Sequence, residues 1–132
     1  MTIKLNDKSF NVKLAGTIKN PYFCGRDICD VLDHKDFKYA LKTHVPLKYK
    51  TELSNFYGEN NQDLGESPQT MVNHYQKLGK NQITFREGQM IYVSEPGLYS
   101  LINGSQNFEN KKEFIQQLEK WIVDLNTVGI VD

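Results

Sequence analysis

The stretch Pro21-Tyr22-Phe23-Cys24-Gly25-Arg26-Asp27-Ile28-Cys29-Asp30-Val31-Leu32 decides the fold of this chain. Its first residues, a proline and an aromatic pair, end a short strand. Gly25 then predicts a sharp turn, because a residue without a Cβ tolerates dihedral angles that other residues avoid. After the turn the apolar spacing becomes helical, with Ile28, Val31 and Leu32 on one face. The stretch therefore predicts a strand, a glycine turn and an amphipathic helix, the corner of a small α+β domain.

Apolar periodicity outward from this corner predicts further hairpins and helices. The predicted hairpins pair Ile3–Leu5 with Phe10–Leu14, and Ile83–Arg86 with Met90–Val93. The predicted helices cover about residues 26–32, 36–45, 95–102 and 108–123. Ser94 is expected to cap the third helix with its hydroxyl. No internal repeat is visible, and the fold class is α+β, with small antiparallel hairpins packed against three to four short helices.

The chain length indicates one domain. With 132 residues, of which 39% are hydrophobic, the chain is long enough for one core and short for two. We therefore expect a single domain over residues 1–132. Within it, a polar loop is predicted at about residues 54–70, because Gly58–Pro68 contains one apolar residue among turn formers.

Charge and hydropathy limit the functions open to the chain. Sixteen basic and sixteen acidic residues cancel, although residues 1–60 carry ten basic against seven acidic side chains. No apolar run approaches the ~20 residues that a membrane span needs, and the N-terminus lacks a secretory signal. We expect an intracellular protein that does not contact membranes, with Cys24 and Cys29 as reduced thiols.

Two blocks carry a resemblance to a known family. The first is Tyr22–Leu32 followed by Ala40–Val45, and the second is Tyr92-Val93-Ser94-Glu95-Pro96-Gly97-Leu98-Tyr99-Ser100-Leu101-Ile102 followed by Ser105 and Leu118–Ile122. Together they are similar to the Bro-N domain, named after the baculovirus repeated open reading frame proteins and found in large DNA viruses and in phage antirepressor-like proteins. The resemblance implies a DNA-binding module of a virus or phage, regulatory rather than catalytic, in the nucleus or cytoplasm of the host cell.

The chain departs from the family pattern near its end. The family usually follows its tryptophan with a proline and two basic residues, whereas here Trp121 is followed by Ile122-Val123-Asp124. Gln106 also stands where a basic residue is usual after the serine. These differences remove positive charge and favour an alternative function, a protein–protein interaction module that keeps the fold without binding nucleic acid.

Six basic side chains are the candidate DNA ligands: Lys35, Lys38, Lys42, Lys48, Lys50 and Arg26. On a helix Lys35, Lys38 and Lys42 recur at i, i+3 and i+7, which places three ammonium groups along one stripe. Such a stripe suits phosphate contacts, because the nucleic-acid backbone is a regular line of negative charge. The other interpretation is a solvated helix face, with Asp36 beside it.

The two blocks offer no clear set of Arg, Asn or Gln side chains for base edges, so low sequence specificity is expected. Double- and single-stranded DNA, a host or viral protein partner and the oligomeric state stay open.

No metal, cofactor or catalytic residue is predicted. Cys24, Cys29, His34 and His44 have the chemistry of zinc ligands, but their spacing contains no tight pair such as C-x2-C. Buried thiols and surface histidines are the favoured interpretation. No phosphate-binding glycine loop and no catalytic triad is visible.

Overall fold

The structure, a computed structural model, describes residues 1–56 and 84–128 of the chain. In these residues the strands are β1 (Thr2–Leu5), β2 (Lys8–Asn11), β3 (Leu14–Gly16), β4 (Pro21–Cys24), β5 (Lys50–Glu52) and β6 (Ile91–Ser94). The helices are α1 (Gly25–Val31), α2 (Phe37–His44), α3 (Phe85–Gly88), α4 (Glu95–Gly104) and α5 (Phe108–Val128). Two 3-10 turns, Leu47–Tyr49 and Leu53–Phe56, flank β5. The α+β class is confirmed. The last helix, α5, is long, whereas the other helices are short as predicted.

The strands form two antiparallel sheets. β1 pairs with β2, with Ile3 opposite Phe10. The second sheet has the order β3-β4-β6-β5, and every neighbouring pair is antiparallel. Its two central strands, β4 and β6, each run directly into a helix, α1 and α4 respectively. These two strand–helix units form the middle of the fold.

The two strand–helix units are related by an approximate two-fold axis. Phe23 of β4 lies opposite Val93 of β6, and these residues occupy the same place in their units, 70 positions apart. Because the strands are antiparallel, the axis passes through this pair. The same offset relates three buried apolar positions of α1 and its C-cap to three of α4: Ile28, Val31 and Leu32 to Leu98, Leu101 and Ile102. The units share burial pattern more than residue identity, which is why no internal repeat is visible in the sequence.

Gly25 is needed for close packing and not for a turn. A Cβ on Gly25 would lie 2.7 Å from Leu41 Cδ2 and 3.2 Å from the Ile91 carbonyl oxygen. The left-handed conformation that favours glycine occurs at Gly16, with φ of +83°, where β3 leads into the turn before β4. The sequence predicted that Gly25 makes a sharp turn before the helix. This is wrong, because Gly25 already lies within α1.

The end of α1 is capped by one side chain from the connection between α4 and α5 and by one from the first turn of α5. Ser105 Oγ donates to the Leu32 carbonyl oxygen at 3.1 Å, and Asn110 Nδ2 donates to the Val31 carbonyl oxygen at 3.1 Å. Ser105 Oγ also accepts from the Asn107 amide at 3.2 Å. Ser105 thus satisfies the Leu32 carbonyl group and Asn110 the Val31 carbonyl group, two acceptors that the helix end leaves without intrahelical partners.

The long helix α5 packs on both sheets. Phe114, Leu118 and Leu125 are buried, and Trp121 meets Phe23 edge-on with ring centroids 5.9 Å apart. Such an edge-to-face contact is the favoured geometry for two aromatic rings. This packing joins the central sheet to the last helix.

Gln117 of α5 binds the backbone of β1. Its Oε1 accepts from the Lys4 amide at 2.8 Å, and its Nε2 donates to the Lys4 carbonyl oxygen at 2.5 Å. The side-chain amide therefore pairs with the edge of β1 as a neighbouring strand would.

The predicted strand Ile83–Arg86 is wrong for the part that the structure describes. Thr84 Oγ1 accepts from the Glu87 amide at 3.1 Å, and Glu87 Oε1 accepts from the Thr84 amide at 2.9 Å. This capping box starts α3 at Phe85, whose side chain is 83% exposed. The alternation that suggested a strand does not reflect burial, and the strand of this region is β6.

Three other expectations differ from the structure. β5 was not predicted, because Lys50–Glu52 contains no apolar residue and becomes a strand only by pairing with β6. β2 ends at Asn11, and Leu14 belongs to β3, opposite Phe23. Ser94 lies at the N-cap of α4, but its hydroxyl makes no capping hydrogen bond.

The predicted polar loop lies mostly outside the described residues. Residues 54–56 end the 3-10 turn Leu53–Phe56, and residues 57–70 are not described. The single-domain organisation stays a prediction.

Candidate nucleic-acid interface

A large groove lies between α2 and α3, with a volume of about 1020 Å³. Its described lining includes five basic side chains against two acidic ones, and these are Arg26, Lys38, Lys42, Lys50 and Arg86 against Glu52 and Glu87. Its apolar lining comes from both walls and from β6: Phe37, Leu41, Leu47, Met90 and Ile91. An excess of positive charge around an apolar floor suits a polyanion that also carries flat apolar surfaces.

Helix α2 supplies the basic wall. Lys38 and Lys42 are both exposed and lie one turn apart, on the same side of the helix. The helix begins after Asp36, whose Oδ1 accepts from the Tyr39 amide at 3.1 Å. Asp36 therefore serves as the N-cap, which stabilises the helix that presents the two lysines.

The predicted stripe is wrong at its first member. Lys35 precedes the N-cap, so it is not part of α2. It lines a second, smaller cavity of about 440 Å³ that also contains His34 and His44. The helical i, i+3, i+7 pattern assumed a helix that began two residues too early.

The other candidate side chains already have structural contacts. Lys50 Nζ donates to the Leu41 carbonyl oxygen at 3.0 Å and so binds the C-terminal end of α2. The Arg26 guanidinium lies over the Phe37 ring, 5.2 Å from its centroid. Lys48 lies over the Tyr49 ring and is not among the residues that line the groove. Four of the six predicted residues, Arg26, Lys38, Lys42 and Lys50, thus lie around one groove.

The opposite wall was missed by sequence reasoning. Three side chains line the groove across from α2. They are Arg86 of α3, Gln89 directly after α3, and Asn55 of the 3-10 turn Leu53–Phe56. The signal that would have found α3 is the Thr84-x-x-Glu87 capping box. The expectation of low specificity rested on the two blocks, which contain none of these three residues.

The candidate zinc ligands do not form one site. Burial raises the pKa of the Cys24 and Cys29 thiols to about 12, with Asp27 adding to the effect at Cys24 and Asp30 at Cys29. The His34 and His44 rings lie 5.6 Å apart, and His34 Nε2 contacts the Leu101 carbonyl oxygen at 3.2 Å. Over residues 1–56 and 84–128, no three His, Cys, Asp or Glu side chains converge as metal ligands.

The helices of the described residues do not meet the requirements of a membrane span. None of them combines the length and the apolar character needed to cross a bilayer. The longest, α5, alternates buried apolar positions with charged ones.

Comparison with known proteins extends these observations. Residues 11–124 match the family described as the BRO family, N-terminal domain. Two Bro-N domain-containing proteins of Invertebrate iridescent virus 6 are 38% and 43% identical to the chain, over 106 and 107 residues, and each alignment covers 80% of it. A Bro-N domain-containing protein of Invertebrate iridescent virus 3 is 39% identical over 102 residues, or 76% of the chain. The chain spans 24% of the length of each relative. No solved structure matches it.

Proposed function

Because this chain belongs to the BRO family and matches its N-terminal domain, we propose that it is a DNA-binding module with a regulatory rather than a catalytic role. The observation that carries the proposal is the groove between α2 and α3, where five basic side chains surround an apolar floor. A chain with zero formal net charge has no general attraction for polyanions, so binding depends on this local concentration of charge. The proposed place of action is the nucleus or cytoplasm of a host cell.

Lys38 and Lys42 are the proposed phosphate contacts. Both are exposed, both project from a capped helix, and no hydrogen bond or ion pair engages either side chain within the described residues. Arg26 and Lys50 add charge at fixed positions, since their side chains are held by Phe37 and by the Leu41 carbonyl oxygen. The groove therefore combines two unengaged cations with two fixed ones.

The test is a fluorescence anisotropy titration of labelled duplex and single-stranded DNA at two salt concentrations. Native protein is expected to bind DNA at low salt, and its affinity should fall steeply as the salt concentration rises. Each neutralised phosphate adds about −0.9 to the slope of log affinity against log salt concentration for a duplex. The double variant Lys38→Glu/Lys42→Glu should lose binding and keep its fold, because both positions are exposed. The matched control is Lys19→Glu/Lys120→Glu, two exposed lysines that do not line the groove.

Each outcome has a definite meaning. Absence of native binding at low salt refutes DNA binding. Equal loss in the control and the groove variant would show that net charge, and not the groove, determines binding. Lys35→Glu should have a much smaller effect than Lys42→Glu, although the sequence alone treats these two lysines alike.

One observation favours the protein-interaction function. Leu47 at the groove and Phe85 on α3 are 84% and 83% exposed, and large apolar side chains with such exposure are common at protein interfaces. If native protein fails to bind DNA, Leu47→Ser and Phe85→Ser become the variants to test against host or viral protein partners.

A further inference from the structure

We propose that Arg86 and Gln89 contact base edges and give the groove a sequence preference, so that one wall reads bases while the α2 wall holds phosphates. This inference rests on the proposed function. It replaces the expectation of low specificity, which considered only residues in the two sequence blocks. The structure brings the required side chains into the groove from outside those blocks.

The position of Arg86 and Gln89 is fixed by local hydrogen bonds. The reciprocal Thr84–Glu87 capping box sets the start of α3. The Leu53 amide donates to the Met90 carbonyl oxygen at 2.9 Å, which ties the end of this segment to the neighbouring 3-10 turn. Side chains that read bases must be held by a rigid support, and these contacts supply one.

The two side chains face the same way and are available for binding. They are separated by three positions, so they lie on one side of the helical turn. Both are exposed, and within the described residues neither side chain has a hydrogen-bond partner or an ion pair. They differ in this respect from Lys50 and Arg26, whose side chains are engaged by the Leu41 carbonyl oxygen and the Phe37 ring.

The chemistry of these side chains selects particular bases. An arginine donates two hydrogen bonds to guanine O6 and N7, and a glutamine pairs with adenine N6 and N7 in the major groove. Side chains three residues apart on a helix lie about 5–6 Å from each other, and bases along one strand are about 3.4 Å apart. Arg86 and Gln89 therefore match a guanine and an adenine separated by one or two base steps.

A lysine in place of Arg86 separates base reading from charge. Lysine keeps the positive charge that a phosphate contact needs but cannot make the paired hydrogen bonds of the planar guanidinium. The variant Arg86→Lys/Gln89→Ala therefore preserves electrostatic attraction, removes the adenine contact of Gln89 and weakens the guanine contact, because lysine still donates to guanine but lacks the fixed fork of the guanidinium. Lys38→Ala is the matched control from the other wall, because it removes a phosphate contact and no base contact.

The experiment is repeated selection of duplexes from a random-sequence pool, followed by titration of the enriched and random duplexes. Native protein is expected to enrich a motif containing guanine and adenine at the predicted spacing, and to prefer it by about fivefold to 150-fold for each base pair contacted. The Arg86→Lys/Gln89→Ala variant should bind random DNA within about twofold of native, with an unchanged salt slope, and should lose the adenine preference and most of the guanine preference. Lys38→Ala should lower the affinity for all duplexes by the same factor and should still enrich the motif.

Three results overturn the inference, and they are distinguishable from failure of the proposed function. Strong native binding without any enriched motif, or binding confined to single strands, refutes base-pair reading and leaves DNA binding intact. Enrichment of the same motif by the double variant shows that other residues read it. Absence of native binding to any DNA at low salt refutes the proposed function and this inference together. Unchanged thermal unfolding of each variant confirms that the fold is intact.

Discussion

Burial determines the chemistry of the two thiols. Cys24 and Cys29 are fully buried, and desolvation raises the pKa of each from 9.0 to about 12. Thiolates are the reactive form of cysteine, so both side chains are kept in the unreactive protonated form at neutral pH. We expect no reaction of the folded protein with alkylating reagents at pH 8, and reaction of both cysteines once the protein is unfolded, as counted by mass spectrometry.

The same thiol pKa values predict loss of stability at high pH. In the unfolded chain the thiols ionise near pH 9, whereas in the folded protein they stay protonated until about pH 12. Their contribution to stability is therefore complete below pH 9 and is lost as the pH rises from 9 to 12. Denaturant midpoints measured from pH 8 to pH 11 should fall less steeply in Cys24→Ala/Cys29→Ala than in native protein. Equal slopes would contradict the prediction.

Two serines of α4 and its connection offer a matched comparison. Ser105 is buried and makes two hydrogen bonds, one to the end of α1, whereas Ser100 Oγ donates only to the Pro96 carbonyl oxygen of its own helix. Ser105→Ala leaves a buried carbonyl group without its partner and should lower the free energy of unfolding by about 1–3 kcal/mol. Ser100→Ala should change it by less than about 0.5 kcal/mol. Urea unfolding of both variants decides the point, and equal values would show that Ser105 is not a helix cap.

At the scale of elements, the edge of β1 depends on one amide side chain of α5. Gln117→Ala removes both hydrogen bonds to Lys4. It should lower the free energy of unfolding by about 1 kcal/mol, because the site is exposed. Gln117→Glu keeps an acceptor for the Lys4 amide but turns a second oxygen toward the Lys4 carbonyl oxygen. It should therefore be no more stable than the alanine variant. Hydrogen exchange at the Lys4 amide measures the effect directly, and native stability in the Gln117→Glu variant would contradict the pairing.

Elements with a regular apolar pattern were predicted from the sequence, and polar elements were not. The helices α1, α2, α4 and α5 each bury an apolar face, which the helical spacing of buried residues reveals. β5 has no apolar residue and exists because β6 lies beside it, and α3 exposes Phe85. Their structure depends on tertiary pairing and on a cap, neither of which appears in a hydropathy pattern.

The candidate site was predicted on one wall only. Lys38, Lys42 and Arg26 come from the first sequence block and its neighbours, where the charge pattern was visible. Arg86 and Gln89 are distant in sequence and reach the groove because α3 packs beside the 3-10 turn Leu53–Phe56. A site assembled from distant segments is not visible until the topology is known.

At the scale of the whole molecule, the approximate two-fold axis predicts equal costs at equivalent core positions. Ile28 and Leu98 are both fully buried and occupy the same place in their strand–helix units. Truncation of either side chain to alanine should lower the free energy of unfolding by about 2–5 kcal/mol. The two losses should lie close together. Chemical denaturation of Ile28→Ala and Leu98→Ala provides the comparison. A cost at Leu98 far below that at Ile28 would mean that the units contribute unequally to the core.

The two-fold axis also affects the symmetry of the surface that the domain offers to a partner. An approximate two-fold axis within one chain gives the two strand–helix units the relation that the two subunits of a homodimer have. In a homodimer every surface occurs twice and faces opposite directions, which suits palindromic targets. Within one chain the two halves are free to diverge, and here the first unit is followed by the basic helix α2 and the second by the long helix α5. The α2 wall of the groove therefore has no symmetric counterpart among the described residues, so we expect the groove to suit an asymmetric partner better than a palindromic one.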